Sequence, residues 1–199
     1  IDRICLMYTF VKLCSEEVSE LTREGAGSVF NDRNFLDFEG DFAAELMDNE
    51  SRIDINQLNT DLPLQEIPVA QQIFALMNSE EADQWFLEQN IDRWEMIGNV
   101  KDWVDTDSIR SAGLGGYEDN LYNTLDPPYL TKNAPFDTLE EIRLVEGWSG
   151  ELCDKYCDRL TIWSNGKYNL NSFDEEMHRA TIRAASLSPI NDSTLDACF

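Results

Sequence analysis

Apolar residues return at three- and four-residue steps at Ile4, Tyr8, Val11, Cys14, Val18 and Leu21, while Glu16, Glu17, Glu20 and Arg23 fall mostly off that stripe. This period marks one face of an amphipathic helix, which Gly25 and Gly27 bring to an end. From Ser28 to Asn59 the segments shorten, and Ser51-Arg52-Ile53-Asp54-Ile55-Asn56 alternates polar with apolar as a half-buried strand does. Beyond Asp61-Leu62-Pro63 the helical period resumes for roughly ninety residues, interrupted by one loop.

Within that stretch Pro68 suits a first helical position ahead of Val69 to Met77. Ser79 is a plausible N-cap, and Glu80, Glu81 and Asp83 favour the first turn of a helix carrying Trp85, Phe86 and Leu87. A third helix takes in Trp94, Met96, Ile97, Val100 and Trp103. The loop from Asp105 to Pro135 is rich in Gly, Asp, Asn and Pro, and so long a loop usually has a function or a ligand holding it. Asp137-Thr138-Leu139-Glu140 reads as a capping box opening a helix that stops at Gly147, and Ser149 caps another through Leu152, Tyr156 and Leu160. Strand-like alternation returns at Thr161-Ile162-Trp163 and Tyr168-Asn169-Leu170-Asn171, and a last helix spans Glu175 to Ala185. The order helix, strands, helices, strand implies an α+β fold with a helical module inserted into a sheet domain.

Composition changes the picture through charge. With 39 Asp and Glu against 15 Lys and Arg, the 199-residue chain carries a formal charge of −24. Such a field repels phosphate backbones and anionic headgroups, so a sequence-independent nucleic-acid or membrane-surface binder is disfavoured, while divalent cations and basic partner surfaces are favoured. No run approaches the roughly 20 apolar residues of a membrane span. Cys5, Cys14, Cys153, Cys157 and Cys198 are an odd count. On a single helix Cys5 and Cys14 face opposite sides and do not bridge. Cys153 and Cys157 are helix neighbours, open to a disulfide, half a metal site or two packing thiols.

The densest polar cluster is Asp102-Trp103-Val104-Asp105-Thr106-Asp107, followed by Gly115-Gly116-Tyr117-Glu118-Asp119. Calcium takes six to eight hard oxygen ligands, which carboxylates converging from both ends of a Gly-containing loop can supply. The cluster is not an EF-hand: counting from Asp107, Glu118 stands twelfth, but Ile109 and Ala112 occupy positions that need an oxygen ligand and a Gly. A solvated acidic loop is the other reading. Leu139 to Trp148 has the outline of a helix-hairpin-helix, but Glu140, Glu141, Glu146 and Glu151 flank its turn without a basic patch, which argues against DNA binding. His178 is the single histidine, which excludes a multi-histidine zinc site, and no nucleophile elbow, P-loop or dinucleotide fingerprint appears.

Three stretches read in order carry a resemblance: Met47 to Leu58; the acidic pair of segments at 102–107 and 115–119; and Asn133-Ala134-Pro135-Phe136-Asp137-Thr138-Leu139-Glu140-Glu141-Ile142-Arg143-Leu144-Val145-Glu146-Gly147-Trp148. Together with Leu160-Thr161-Ile162 and Asn169-Leu170-Asn171, they resemble the K-type minor pseudopilins of bacterial type II secretion systems. The resemblance implies a pilin-like fold, an N-terminal helix packed on a small antiparallel sheet, with a large inserted all-α domain. On this chain the expectation is a pilin-like helix and first strands over 1–60. The helical insert follows over 61–160, with the acidic loop at 102–119 and the helix-hairpin-helix-like unit at 137–160. Residues 161–199 then supply a return strand and C-terminal helix completing the pilin-like part.

The same resemblance implies a non-enzymatic tip subunit that assembles with the I-type and J-type minor pseudopilins and binds calcium. The calcium role falls on Asp102, Asp105, Asp107, Glu118 and Asp119, and partner contact is expected from the first-helix stripe at Tyr8, Val11 and Val18. Members of the family are anchored in the inner membrane by an apolar N-terminal helix and project into the periplasm, so the start at Ile1 would mark removal of that apolar half. Fewer than thirty residues follow Asn171, where the family usually continues with more helix and closing strands. The competing class is a secreted or periplasmic calcium-binding module or enzyme unrelated to pili.

Overall fold

The computed structural model describes residues 29–30, 44–45, 48–148, 150–166, 169, 174–186 and 189–197. The expected first helix, with Tyr8, Val11 and Val18, lies outside the described residues, as do Cys5, Cys14, Cys198, Ser149 and all of the 168–171 segment except Asn169. The chain divides into two units, residues 1–48 with 171–173 and residues 49–170 with 174–199. In the first, strands β1 (Val29–Phe30) and β2 (Ala44–Glu45) pair antiparallel, in keeping with the small sheet expected there. The second unit holds the remaining described elements.

There the chain enters through β3 (Ile53–Asp54) and returns through β4 (Leu160–Thr161), which run parallel with Ile53 opposite Leu160. A parallel pair needs a long crossover, and the helical module between the two supplies it. The strand expected over 51–56 is cut short at Asp54. That side chain accepts the N–H of Asn56 at 3.0 Å and turns the chain into a 3₁₀ helix, Ile55–Leu58. Ile53, Ile55 and Leu58 are all buried, so the apolar spacing serves the core through a turn rather than a strand.

Helix α1 (Pro68–Leu76) begins at its proline and turns Ala70, Ile73 and Leu76 inward. α2 (Glu80–Gln89) is capped by Ser79, whose Oγ accepts the N–H of Ala82 at 3.1 Å. It ends at Asn90 in the left-handed region, a conformation Asn tolerates. α3 (Arg93–Val104) is capped by Asp92 through the N–H groups of Trp94 and Glu95. Between residues 139 and 147 the expected α-helix is instead a 3₁₀ helix, Leu139–Leu144, with the Glu141 carboxylate accepting the N–H groups of Asp137 and Thr138. α4 (Glu151–Tyr156) follows, and a disulfide joins Cys153 to Cys157, settling the open reading of that pair. α5 (Glu175–Ala185) has the bounds expected from the sequence and packs on α1, with Met177 and Ala180 buried. α6 (Asp192–Asp196) follows and is tied to α5 by the Arg183–Asp192 and Arg179–Asp196 ion pairs. No described helix is long and apolar enough to cross a membrane.

α3 is the axis of this unit. From Met96 to Val104 every residue is buried, polar ones included. A helix covered on all sides must find partners for its polar groups. Asn99 donates from Nδ2 to the Glu146 carbonyl at 3.0 Å, and Asp102 accepts from the Ser111 N–H at 2.8 Å. Gly98 gives the loop room to lie against the helix: a Cβ there would stand 2.5 Å from that of Ala112. On another side the indole of Trp148 is fully buried and donates to the Met96 carbonyl at 2.8 Å.

Candidate metal centre

The end of α3 concentrates negative charge before any loop residue is added. The last carbonyls of a helix form the negative end of its dipole, where cations are favoured and carboxylates are not. This helix ends at Val104 with Asp102 in its final turn and Asp105 as its C-cap, whose N–H bonds the Lys101 carbonyl at 2.9 Å. The loop then folds back. Residues Ile109 and Tyr117 form an antiparallel bridge, and a 3₁₀ turn begins at Glu118, carrying that side chain into the interior.

Aromatic packing fixes the far side of the loop. Trp103 meets Tyr122 edge to face with centroids 5.5 Å apart and stacks on Phe136 at 6.4 Å. Tyr122 is fully buried and its hydroxyl accepts the Glu146 N–H; Tyr129 donates its hydroxyl to the Leu144 carbonyl at 2.8 Å. Asn56 clasps Phe136 with two hydrogen bonds, accepting its N–H at 2.7 Å and donating to its carbonyl at 3.2 Å. The loop is therefore pinned by apolar packing at one side and presents carboxylates at the other.

Asp105, Asp107 and Glu118 each offer an oxygen, and these lie within 4.8 Å of one another. Glu118 is 1% exposed and Asp105 5%, while Asp107 opens to solvent and accepts the Ile109 N–H at 2.7 Å. Neither Glu118 oxygen has a partner, nor does Oδ1 of Asp105 or Oδ2 of Asp102, although all are buried. Orphaned buried carboxylate oxygens are costly, and a cation is what would satisfy them. The remaining two residues expected at the site stand beside this group: Asp102 is 1% exposed, and Asp119 accepts the Thr131 N–H at 3.1 Å.

Electrostatics tell the same story. Burial pushes the Glu118 carboxyl up to about 8, and the charges of Asp102, Asp105, Asp107 and Asp119 push in the same direction. Burial raises Asp102 to about 6, offset by its hydrogen bonds with Ser111 and the nearby Lys101 charge, and reinforced by Asp105. One counter-charge is built in: the Lys101 ammonium, 6% exposed, pairs with Oδ2 of Asp105. Sequence reading passed over Lys101, although its spacing of four from Asp105 on a helix is a recognisable ion-pair signal. It also passed over Gly98, whose missing side chain lets the loop approach.

The family profile described as "Type II secretion system (T2SS), protein K" matches residues 51–165, more than half of the chain. Type II secretion system protein K of Klebsiella pneumoniae is 25% identical over 155 residues, covering 77% of this chain and 45% of that protein. The Pectobacterium carotovorum protein of the same name is 30% identical over 118 residues, covering 57% of this chain and 34% of its own length. The chain thus spans less than half the length of these relatives. Among solved structures, a chain in the crystal structure of the GspK-GspI-GspJ complex from the enterotoxigenic Escherichia coli type 2 secretion system is similar in fold. Its TM-score is 0.59 at 16% identity, over 98% of this chain and 76% of that one. A family profile covering the β3-to-β4 module and its acidic loop, joined to this likeness of fold, identifies the chain as a member of the type II secretion system protein K family.

Proposed function

We propose that this chain is the periplasmic part of a non-enzymatic minor pseudopilin, one that assembles with I-type and J-type minor pseudopilins at the tip of the secretion pseudopilus and is pinned by calcium. Family membership supports the secretion role, and the fold likeness is to a chain in the crystal structure of the GspK-GspI-GspJ complex. On this reading residues 1–60 and 161–199 form the pilin-like part, an N-terminal helix on a small sheet, and 61–160 the inserted helical domain. The stripe of Tyr8, Val11 and Val18 is the partner-facing surface, and an apolar N-terminal helix outside this sequence anchors the protein in the inner membrane.

The observation that carries the calcium role is the convergence of Asp105, Asp107 and Glu118 with buried, unpartnered oxygens. Asp102 adds a further orphaned oxygen, and Asp119 holds the Thr131 segment against the same loop. Carboxylate oxygens are the donors a hard divalent ion selects, and water and backbone carbonyls complete its shell. The chain's own part is to close the loop onto α3. Aromatic anchoring at Trp103, Tyr122 and Phe136 leaves the carboxylate end as the piece an ion would lock.

Thermal unfolding in EDTA, then in millimolar Ca²⁺ or Mg²⁺, tests this against an Asp105→Ala/Glu118→Ala variant. A ligand at a hundred times its dissociation constant stabilises the native state by about 2.7 kcal/mol. The expected result is a calcium-specific rise in Tm, absent from the variant. Pull-down with I-type and J-type proteins tests the assembly role, with Tyr8→Ala/Val11→Ala/Val18→Ala expected to weaken capture. Calcium stabilisation without capture of either partner would instead favour a free-standing calcium-binding module.

A further inference from the structure

Lys101 is the one buried Lys or Arg among the described residues, and its ammonium lies against Asp105 at the edge of the carboxylate group. Its ammonium pairs with Oδ2 of Asp105, both side chains being 7% exposed, while Oδ1 of the same carboxylate has no partner. Asp105 therefore belongs to two groupings at once: its Oδ2 is tied to Lys101, its Oδ1 is left without a partner, and its carboxylate lies among the converging oxygens of Asp107 and Glu118. Burying an ammonium is expensive, and a methionine or leucine would fill the same space in this helix without that penalty. Lys101 is thus poorly explained as packing and well explained as charge.

We propose that Lys101 is an affinity-setting residue, a tethered cation that shares Asp105 with the bound divalent ion and holds the site's affinity for calcium down. The inference rests on the calcium reading above. Asp102, Asp105, Asp107 and Glu118 carry four negative charges at full ionisation, and Lys101 leaves three. In calcium sites the number of ligand charges is one of the variables that sets the dissociation constant, and sites outside the cytosol work at about 10⁻⁴–10⁻³ M. The ammonium would repel a divalent ion held by the same carboxylate. It also keeps Asp105 docked when calcium is scarce, so the loop remains folded while its ion exchanges.

The test is calorimetric titration of calcium into the 199-residue chain and its Lys101→Met and Lys101→Arg variants, with Tm measured in EDTA for each. Lys101→Met is expected to bind calcium at least about tenfold more tightly than the parent and to melt lower in EDTA. Lys101→Arg keeps the charge and is expected to stay within about threefold of the parent affinity. Lys101→Gln serves where the methionine variant does not fold, with the same direction expected. A neutral variant that binds calcium no more tightly than the parent overturns the affinity-setting role, because a purely structural lysine would lower Tm alone. Absence of calcium binding in the parent, with no effect of Glu118→Gln, overturns the calcium reading itself and this inference with it.

Discussion

Replacing Glu118 by glutamine has opposite consequences with and without calcium, and the size of each follows from the burial of that side chain. In EDTA the native state holds the Glu118 carboxyl at about 8 against an ordinary 4.5. The native pKa is the higher one, so the folded protein binds the proton more tightly than the unfolded chain. The carboxyl then costs nothing below about pH 4.5, costs progressively more as pH rises, and levels off above about 8. At 1.36 kcal/mol per pH unit this is about 3 kcal/mol at pH 7 and about 5 kcal/mol well above pH 8. Glutamine removes that penalty while keeping the shape, and its amide adds a donor among buried carboxylate oxygens that lack one.

Glu118→Gln is therefore expected to raise Tm in EDTA at pH 7 by ~6–12 °C, taking ~2–4 °C per kcal/mol for a chain of this size. The gain should shrink as pH falls toward 5, where the parent carboxyl is protonated and no longer differs in charge from the amide. In millimolar calcium the order inverts, since the variant lacks a charged ligand and the parent gains the ion. Scanning calorimetry at pH 5, 7 and 8, with and without calcium, reads all of this. A Glu118→Gln protein that is less stable than the parent in EDTA at pH 8, or that keeps the full calcium shift, would refute the reasoning.

Gly98→Ala is expected to destabilise by about 1–3 kcal/mol despite the better helix propensity of Ala, because the new Cβ meets that of Ala112 at 2.5 Å; thermal unfolding should show the loss together with a reduced calcium shift. Asn56→Ala leaves the N–H and carbonyl of Phe136 without their clasp and is expected to cost about 1–3 kcal/mol in urea unfolding, with calcium affinity little changed because the clasp lies on the aromatic side of the loop.

What could be read from the sequence was what short-range chemistry decides. Pro68, Ser79 and the acidic turn after it placed α1 and α2, and the bounds of α5 at 175 and 185 fell where expected. The acidic positions could be named because charge density is visible along the chain, and the structure brings Asp105, Asp107 and Glu118 together. Long-range matters were not visible. Ile53 pairs parallel with Leu160, a partner no local pattern reveals. The 139–144 segment has the composition of an α-helix, yet folds as a 3₁₀ helix between Phe136, docked on Asn56, and the positive-φ turn at Gly147. Lys101 drew no notice in the sequence because its burial depends on the loop that folds over α3.

Because β3 and β4 lie side by side, everything from Ile55 to Arg159 leaves the strands and returns to them at one point. The entropy of closing such a loop grows only with the logarithm of its length, about 0.6 kcal/mol for each doubling. Segments can therefore be lengthened or trimmed at exposed loop tips within the module at small thermodynamic expense, provided the two strand ends still meet. The base of the module is the expensive part: Ile53 and Leu160 find each other only across the whole intervening chain, so their pairing carries the closure entropy of the entire module.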